Sequence, residues 1–299
     1  MKNLFGGIEA GGTKFICVIA DEQGNILQEK ILPTTSSDST LAAVCAFFSL
    51  DAKKFLPELV SIGIGCFGPL DLNPQSVTFG SITTTSKPGW SNAPIVNILK
   101  DNLHLPVAID TDVNTAAMGE KEWGSGKEVD HLLYITIGTG IGGGAVVNGK
   151  PIHGLIHPEM GHIYIPHDIN RDPFRGICPF HGDCFEGLAS GPALAHRWGK
   201  PAEKLPINHS AWDLEAEYIA CALANIICIL SPQKVILGGG VMQQPQLIFK
   251  IRKEVVNLLK GYIQSSLVLN EIDQFIVLPG LGNRSGALGA ISLAIDLIK

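Results

Sequence analysis

The sequence predicts an α/β protein of two similar lobes facing a cleft. Three observations carry this reading. The chain of 299 residues is too long for one ordinary core and suits two. Each half opens with the same unit, a strand, a glycine turn and a second strand, over residues 4–20 and again over 131–147. Each half then continues with alternating helices and strands, the mark of an internal duplication.

From Leu4 to Leu32, apolar and β-branched runs alternate with turn residues, and Asp21–Asn25 separates the second strand from a third, giving an antiparallel meander. Apolar spacing next predicts a helix over 40–52, a buried strand over 60–66, a helix over 93–102, a strand over 107–110 and a helix over 113–123. The repeated hairpin begins at His131, ends at Val147, and is followed by the Asn148-Gly149 turn and a strand near Ile163. Residues 167–192 show no periodicity and are too long for a structureless connector, so something other than a core must hold them. Helices over 213–230, 247–259 and 285–298 and strands over 234–237 and 275–278 complete the pattern. The smaller lobe is expected to comprise 1–112 with 284–299, and the larger 113–283.

Lys and Arg number 22 against 28 Asp and Glu, a formal net charge of −6, which leaves no electrostatic footprint for nucleic acid or an anionic membrane. The N-terminus has no apolar signal core, and the most apolar helical stretch, 218–230, is interrupted by Asn225 and too short to span a bilayer. A cytoplasmic protein without nucleic-acid or membrane partners is expected. The 7 cysteines include Cys17, Cys45, Cys221 and Cys228 in apolar runs, which argues against a secreted disulfide framework. The 34 glycines are clustered, marking turns or close approach to the backbone.

Ile137–Gly143 contains a formal G-x-G-x-x-G, yet Gly144-Ala145-Val146-Val147 continues it as a strand, where a dinucleotide fingerprint requires a helix. The first hairpin repeats the form at Ile8–Lys14, with Thr13-Lys14 in the wrong order for a Walker A loop. As a pair, such turns can offer N–H groups and Thr hydroxyls to a polyphosphate; singly, each is equally a tight hairpin. Asp110-Thr111-Asp112-Val113-Asn114 joins a strand to a helix. It holds either an N-cap or a carboxylate that accepts the proton of a hydroxyl attacking a phosphoryl group. Cys178-Pro179-Phe180-His181-Gly182-Asp183-Cys184 sets ligands at two-residue spacings that suit tetrahedral zinc, with His153, His157, His162 or His167 as the fourth ligand. Glu159, His162 and Glu186 flank this loop and suit the vicinal hydroxyls of a sugar. Gly238-Gly239-Gly240 follows a strand, either as an ordinary turn or as a place where a flat ring approaches the backbone.

Together these residues resemble the ROK family of sugar kinases and sugar-responsive repressors, within the actin-like ATPase (ribonuclease H-like) fold, and most of all its bacterial fructokinases. The resemblance runs through Gly7–Lys14, Phe67–Asp71, Lys87–Trp90, Asp112–Asn114, Gly138–Gly144, Glu159–His162, Cys178–Glu186 and Leu237–Gly240. It implies phosphorylation of D-fructose by Mg-ATP in a homodimer, with Asp112 as general base and sugar contact. Gly11, Gly12, Thr13 and Lys14, with Gly138, Thr139 and Gly140, would form two phosphate loops, and Gly238, Gly239 and Gly240 would lie by adenosine. Glu159, His162 and Glu186 would contact the sugar, and His162, Cys178, His181 and Cys184 would hold a structural Zn²⁺.

Three positions depart from the family pattern. Glu9 stands where Asp is usual, which implies a changed water and Mg²⁺ arrangement at the first phosphate loop. Thr111 replaces the Asn common in the glucokinase branch, and His181 replaces a Cys of the metal loop. Kinases for glucose, mannose or amino sugars are the near alternatives. The repressor alternative carries an added N-terminal DNA-binding module, for which no room is expected ahead of a hairpin that begins within the first ten residues. Zinc removal is expected to raise KM for fructose far more than for ATP, because the glycine loops are remote in sequence from the metal loop.

Overall fold

Apolar runs at the start of the chain form β1 (Leu4–Ala10) and β2 (Lys14–Asp21), buried almost throughout, and β3 (Ile26–Pro33) follows at the more exposed edge, each paired antiparallel with the next. The computed structural model describes residues 3–55, 58–85 and 87–299. Ser36 caps α1 (Ser37–Ala46), its hydroxyl accepting from the Ser39 N–H, and the helix runs on as a wider π-type turn over Phe47–Asp51. There follow β4 (Leu59–Cys66), α2 (Ile95–Leu103), β5 (Val107–Thr111) and α3 (Asp112–Trp123).

The second series is β6 (Leu132–Ile137), β7 (Ile141–Val147), β8 (Lys150–Pro151), α4 (Phe185–Ala189), α5 (Gly191–Trp198), α6 (Ala211–Leu230) and β9 (Lys234–Gly238). It ends with α7 (Leu247–Leu259), α8 (Ser266–Leu269), α9 (Ile272–Phe275), β10 (Ile276–Val277) and α10 (Ser285–Asp296).

The sheets have strand orders β3-β2-β1-β4-β5 and β8-β7-β6-β9-β10. In each, the hairpin is antiparallel and its first strand then pairs in parallel with a later one, β1 with β4 and β6 with β9. The duplication read from the sequence is therefore one of topology, strand for strand.

In the first sheet, Phe15, Phe47, Phe48, Ile62, Trp90 and Leu99 fill one core, and Phe5, Val18, Ala287 and Ile291 fill another beneath α10. Each of the Phe, Ile, Leu and Val side chains contributes roughly 1.5–3 kcal/mol by leaving water. The second core is thin because backbones meet there. A Cβ at Gly63 would lie 1.9 Å from the Ala290 carbonyl oxygen, and one at Gly289 would lie 1.6 Å from that of Thr115. Gly289→Ala must push α10 off α3 rather than displace a flexible side chain, so a loss of about 3 kcal/mol is expected. A fall in the urea midpoint checks it.

The chain divides into one unit of Met1–Glu128, Lys150–Pro158 and Gly280–Lys299, and a second of Val129–Gly149 and Glu159–Pro279. This differs from the divisions at 112/113 and 283/284 read from the sequence. The reason lies in α3, whose Gly119 sits close enough to α10 that a Cβ would come 2.4 Å from the Ser285 oxygen, which keeps the helix in the first unit. The strand expected near Ile163 is absent among the described residues. Gly161 lets residues 160–162 close as a 3₁₀ turn against β7, and Tyr164 forms only an isolated bridge to Cys184. The strand expected over 275–278 shrinks to Ile276–Val277, Phe275 ending α9. Among the described residues, no helix is long and apolar enough to cross a membrane.

Candidate functional site

In the first unit the β1–β2 turn is fixed by the Gly11 N–H donating to the Lys14 carbonyl at 3.0 Å, and by Thr34 Oγ1 donating to the Gly11 carbonyl at 2.8 Å. The Lys87 ammonium donates to the Gly12 carbonyl, and a Cβ at Gly12 would meet nothing within 4 Å, so this turn faces open space. At the ends of β1, β4 and β5 lie Glu9, Cys66 and Asp112, close enough that the Asp112 charge acts on both of the others.

The two readings of residues 110–114 separate cleanly here. The cap is Thr111, whose Oγ1 accepts from the Asn114 N–H at 3.2 Å. Asp110 is buried and structural: its Oδ1 accepts from the Thr111 N–H (2.7 Å) and Asn114 Nδ2 (2.8 Å), and its Oδ2 meets His153 Nε2 at 2.9 Å. That hydrogen bond also holds His153 above its ordinary pKa. Asp112, the first residue of α3, accepts from the Val113 N–H at 2.9 Å.

Burial, and then the Asp112 charge, push the Glu9 carboxyl up from 4.5 to about 7, opposed by Lys14 and the Ala287 N–H, with Glu29 adding a further small rise. Gly286 makes room for it, since a Cβ there would lie 2.6 Å from Glu9 Cδ. The protonated carboxyl thus contributes stability that is fully present below about 4.5 and is lost as pH rises through about 7. In nucleotide-free protein, Glu9→Gln is expected to gain stability relative to the parent across that window. Urea midpoints at both ends check it, and an unchanging difference between the two proteins contradicts it.

In the second unit the β6–β7 turn carries Gly138, Thr139 and Gly140, with the Gly138 N–H donating to the Gly140 carbonyl at 2.9 Å and Thr139 exposed at the tip. The loop after β9 lies beside it. A Cβ at Gly138 would be 3.9 Å from the Gly240 nitrogen, and Gly239 (φ +93°) is packed so tightly that a Cβ would meet the Ile137 carbonyl oxygen at 2.3 Å. The structure therefore brings Gly138–Gly140 and Gly238–Gly240 together.

The ligand atoms of His162, Cys178, His181 and Cys184 all lie within 4.8 Å of one another. His162 Nδ1 is 3.7 Å from Cys178 Sγ and 3.6 Å from Cys184 Sγ, and His181 Nδ1 is 3.6 Å from Cys178 Sγ. Tetrahedral bonds of about 2.3 Å to sulfur and 2.05 Å to nitrogen place S and N about 3.6 Å apart. The group can hold a metal ion, and its spacing matches that geometry. Burial pushes the Cys184 thiol up to about 11, so a thiolate there depends on a neighbouring cation.

The other candidate histidines are engaged elsewhere: His153 with Asp110, and His157 through Nε2, which accepts from the Leu70 N–H at 3.2 Å. His167 meets the Asp172 carbonyl at 2.9 Å and Asp183 Oδ2 at 3.0 Å. Asp172 also accepts from the Tyr218 hydroxyl at 2.6 Å and lies 3.2 Å from Arg197 Nε. The irregular stretch thus has a second, buried polar anchor that spacing gave no sign of. It also contains α4 and the start of α5, short helices obscured by glycine and proline.

At Glu186 the structure shows a contact that its sequence surroundings do not announce. Its Oε2 accepts from the Ile141 N–H at 2.9 Å, and a Cβ on Gly140 would come 2.7 Å from that oxygen. The metal loop and the second glycine hairpin, remote in sequence, are joined by this carboxylate two residues after Cys184.

A model described as the ROK family matches residues 5–297. Over 296 residues, covering 99% of this chain and 97% of the relative, the chain is 48% identical to a Bacillus subtilis (strain 168) protein provisionally named a fructokinase. It is 41% identical to the fructokinase of Zymomonas mobilis subsp. mobilis (strain ATCC 31821 / ZM4 / CP4), covering 98% of this chain and 97% of that one. Among solved structures, the ROK hexokinase of Thermus thermophilus superposes with a TM-score of 0.80 at 25% identity, covering 100% of this chain and 99% of that one. A Streptomyces griseus ROK glucokinase solved with glucose and AMPPNP gives 0.77 at 24%, covering 98% and 100%. The duplicated sheets are those of the actin-like ATPase fold. With the family model matched over almost its whole length and relatives this similar from end to end, the chain belongs to the ROK family.

Proposed function

We propose that this protein phosphorylates D-fructose at its 6-hydroxyl, with Mg-ATP as donor. The observation that carries the reading is full-length similarity graded by substrate: fructokinases of Zymomonas mobilis, Streptococcus mutans and Lactococcus lactis are 41–42% identical, whereas glucokinases are 27–28% identical. The glycine turns on β1–β2 and β6–β7 bind the phosphates, and Gly238–Gly240 receives the adenosine. Asp112 takes the proton of the 6-hydroxyl as that oxygen bonds to the γ-phosphorus and the bond to the β,γ-bridging oxygen breaks, releasing ADP. Mg²⁺ bound with the nucleotide would supply neutralisation of the phosphate charge. Glu159, His162 and Glu186 hold sugar hydroxyls, and a cytoplasmic homodimer is the working assembly.

His162, Cys178, His181 and Cys184 would hold Zn²⁺, which when bound would supply a staple that fixes the loop and the His162 ring. With Nδ1 turned to the thiols, Nε2 is the nitrogen left to the sugar. Metal analysis of protein purified without chelator is expected to give about one zinc per chain. Absence of zinc in active protein contradicts the site.

A coupled phosphoryl-transfer assay over fructose, mannose, glucose and N-acetylated hexosamines tests the substrate. The highest kcat/KM is expected for fructose. A preference for glucose, or sugar binding without ATP consumption, overturns the reading in favour of a glucokinase or a sugar sensor.

A further inference from the structure

We infer that Glu186 is the positioning residue through which the Cys178–Cys184 metal loop sets the nucleotide affinity of the β6–β7 turn. The inference rests on the reading that this turn takes phosphate, and it assigns Glu186 a task separate from any contact with sugar.

A turn containing Gly138 and Gly140 has wide conformational freedom, and N–H groups bind an anion well only when their directions are fixed beforehand. One internal hydrogen bond, from the Gly138 N–H to the Gly140 carbonyl, constrains it. Two further bonds to the turn come from the segment that follows Cys184. Glu186 Oε2 accepts from the Ile141 N–H at 2.9 Å, and the Gly191 N–H donates to the Gly138 carbonyl at 2.8 Å. The two ends of the turn are therefore held by Gly191, the first residue of α5, and by Glu186, near the start of α4.

That helix has no slack. Cys184 caps it, the Leu188 N–H donates to the Cys184 carbonyl at 3.0 Å, and the Ser190 N–H donates to that of Glu186 at 3.1 Å. A shift of Cys184 is carried along α4 to Glu186 within one helical turn. Gly140 fits the same account: a Cβ there would lie 2.7 Å from Glu186 Oε2, so a side chain at this position would displace the carboxylate.

The test is calorimetric binding of Mg-ADP, without turnover, to zinc-loaded and chelator-treated protein. Glu186→Gln keeps an oxygen that can accept from Ile141, and its Kd for Mg-ADP should stay within about twofold of the parent, since the bond survives. Glu186→Ala removes the bond and should weaken Mg-ADP roughly tenfold. Glu186→Asp, too short to reach while keeping the charge, should do the same and serves if the alanine variant fails to fold. Zinc removal should weaken Mg-ADP in the parent by a similar factor and have little further effect in the alanine or aspartate variant, the signature of coupled sites.

Parent-like affinity in Glu186→Ala or Glu186→Asp overturns the inference, as does an equal effect of zinc removal with and without the carboxylate. Failure of the kinase reading looks different, because the parent protein would then not bind Mg-ADP, and the inference would fall with it.

Discussion

Asp112→Asn is expected to lower turnover by about 10²- to 10⁴-fold, the usual cost of losing a general base, while fructose and nucleotide still bind. The substitution is close to isosteric, and the amide oxygen can still accept from the Val113 N–H that the carboxylate engages at 2.9 Å. The start of α3 does not depend on it, because the cap is Thr111. Asp110 cannot take over without giving up its bonds to Thr111, Asn114 and His153. A coupled assay gives kcat, and calorimetry gives the two affinities. Near-parent turnover moves the base to another residue; a joint collapse of binding and turnover makes Asp112 an architectural residue.

The largest expected effect on stability lies at the other end of α3. Glu120 is fully buried, and its carboxylate accepts from four donors: the Ser125 N–H (2.7 Å), the Gly280 N–H (2.9 Å), the Leu281 N–H (3.0 Å) and the Ser285 hydroxyl (2.7 Å). It thereby ties the end of α3 to the start of α10. Gly124 accommodates it, since a Cβ there would lie 2.1 Å from Glu120 Oε2. Glu120→Ala orphans all four donors and is expected to cost on the order of 4 kcal/mol, taking about 1 kcal/mol for each. Urea unfolding of the two proteins measures the difference. A loss below about 1 kcal/mol means that water replaces the carboxylate there.

What the sequence made legible follows physical range. Hairpins at 4–21 and 132–147 are readable because short apolar, β-branched runs joined by glycine turns are local signals. Cys178, His181 and Cys184, which can hold a metal ion, share a short loop, and their spacing is itself the signal; grouping His162 with them, ahead of His153, His157 or His167, takes a family resemblance. Bonds between distant segments left no trace. Nothing in the sequence around Glu120 marks it as the acceptor for residues 280–285, and nothing around Glu186 points to Ile141. Short helices such as α4 and α5 were hidden because Gly187, Gly191 and Pro192 read as loop. The contact that keeps α3 with α10 is likewise silent in the sequence, since it depends on Gly119 meeting a helix more than 160 residues away.

The reaction product tests the central claim most directly. Fructose labelled with ¹³C at carbon 6 is mixed with Mg-ATP and the protein, and the reaction is followed by ³¹P and ¹³C NMR. The account predicts one phosphomonoester formed per ATP consumed, with phosphorus coupling at carbon 6 and ADP as the other product. Inorganic phosphate in place of a sugar phosphate, or an ester that shows no coupling to carbon 6, contradicts it.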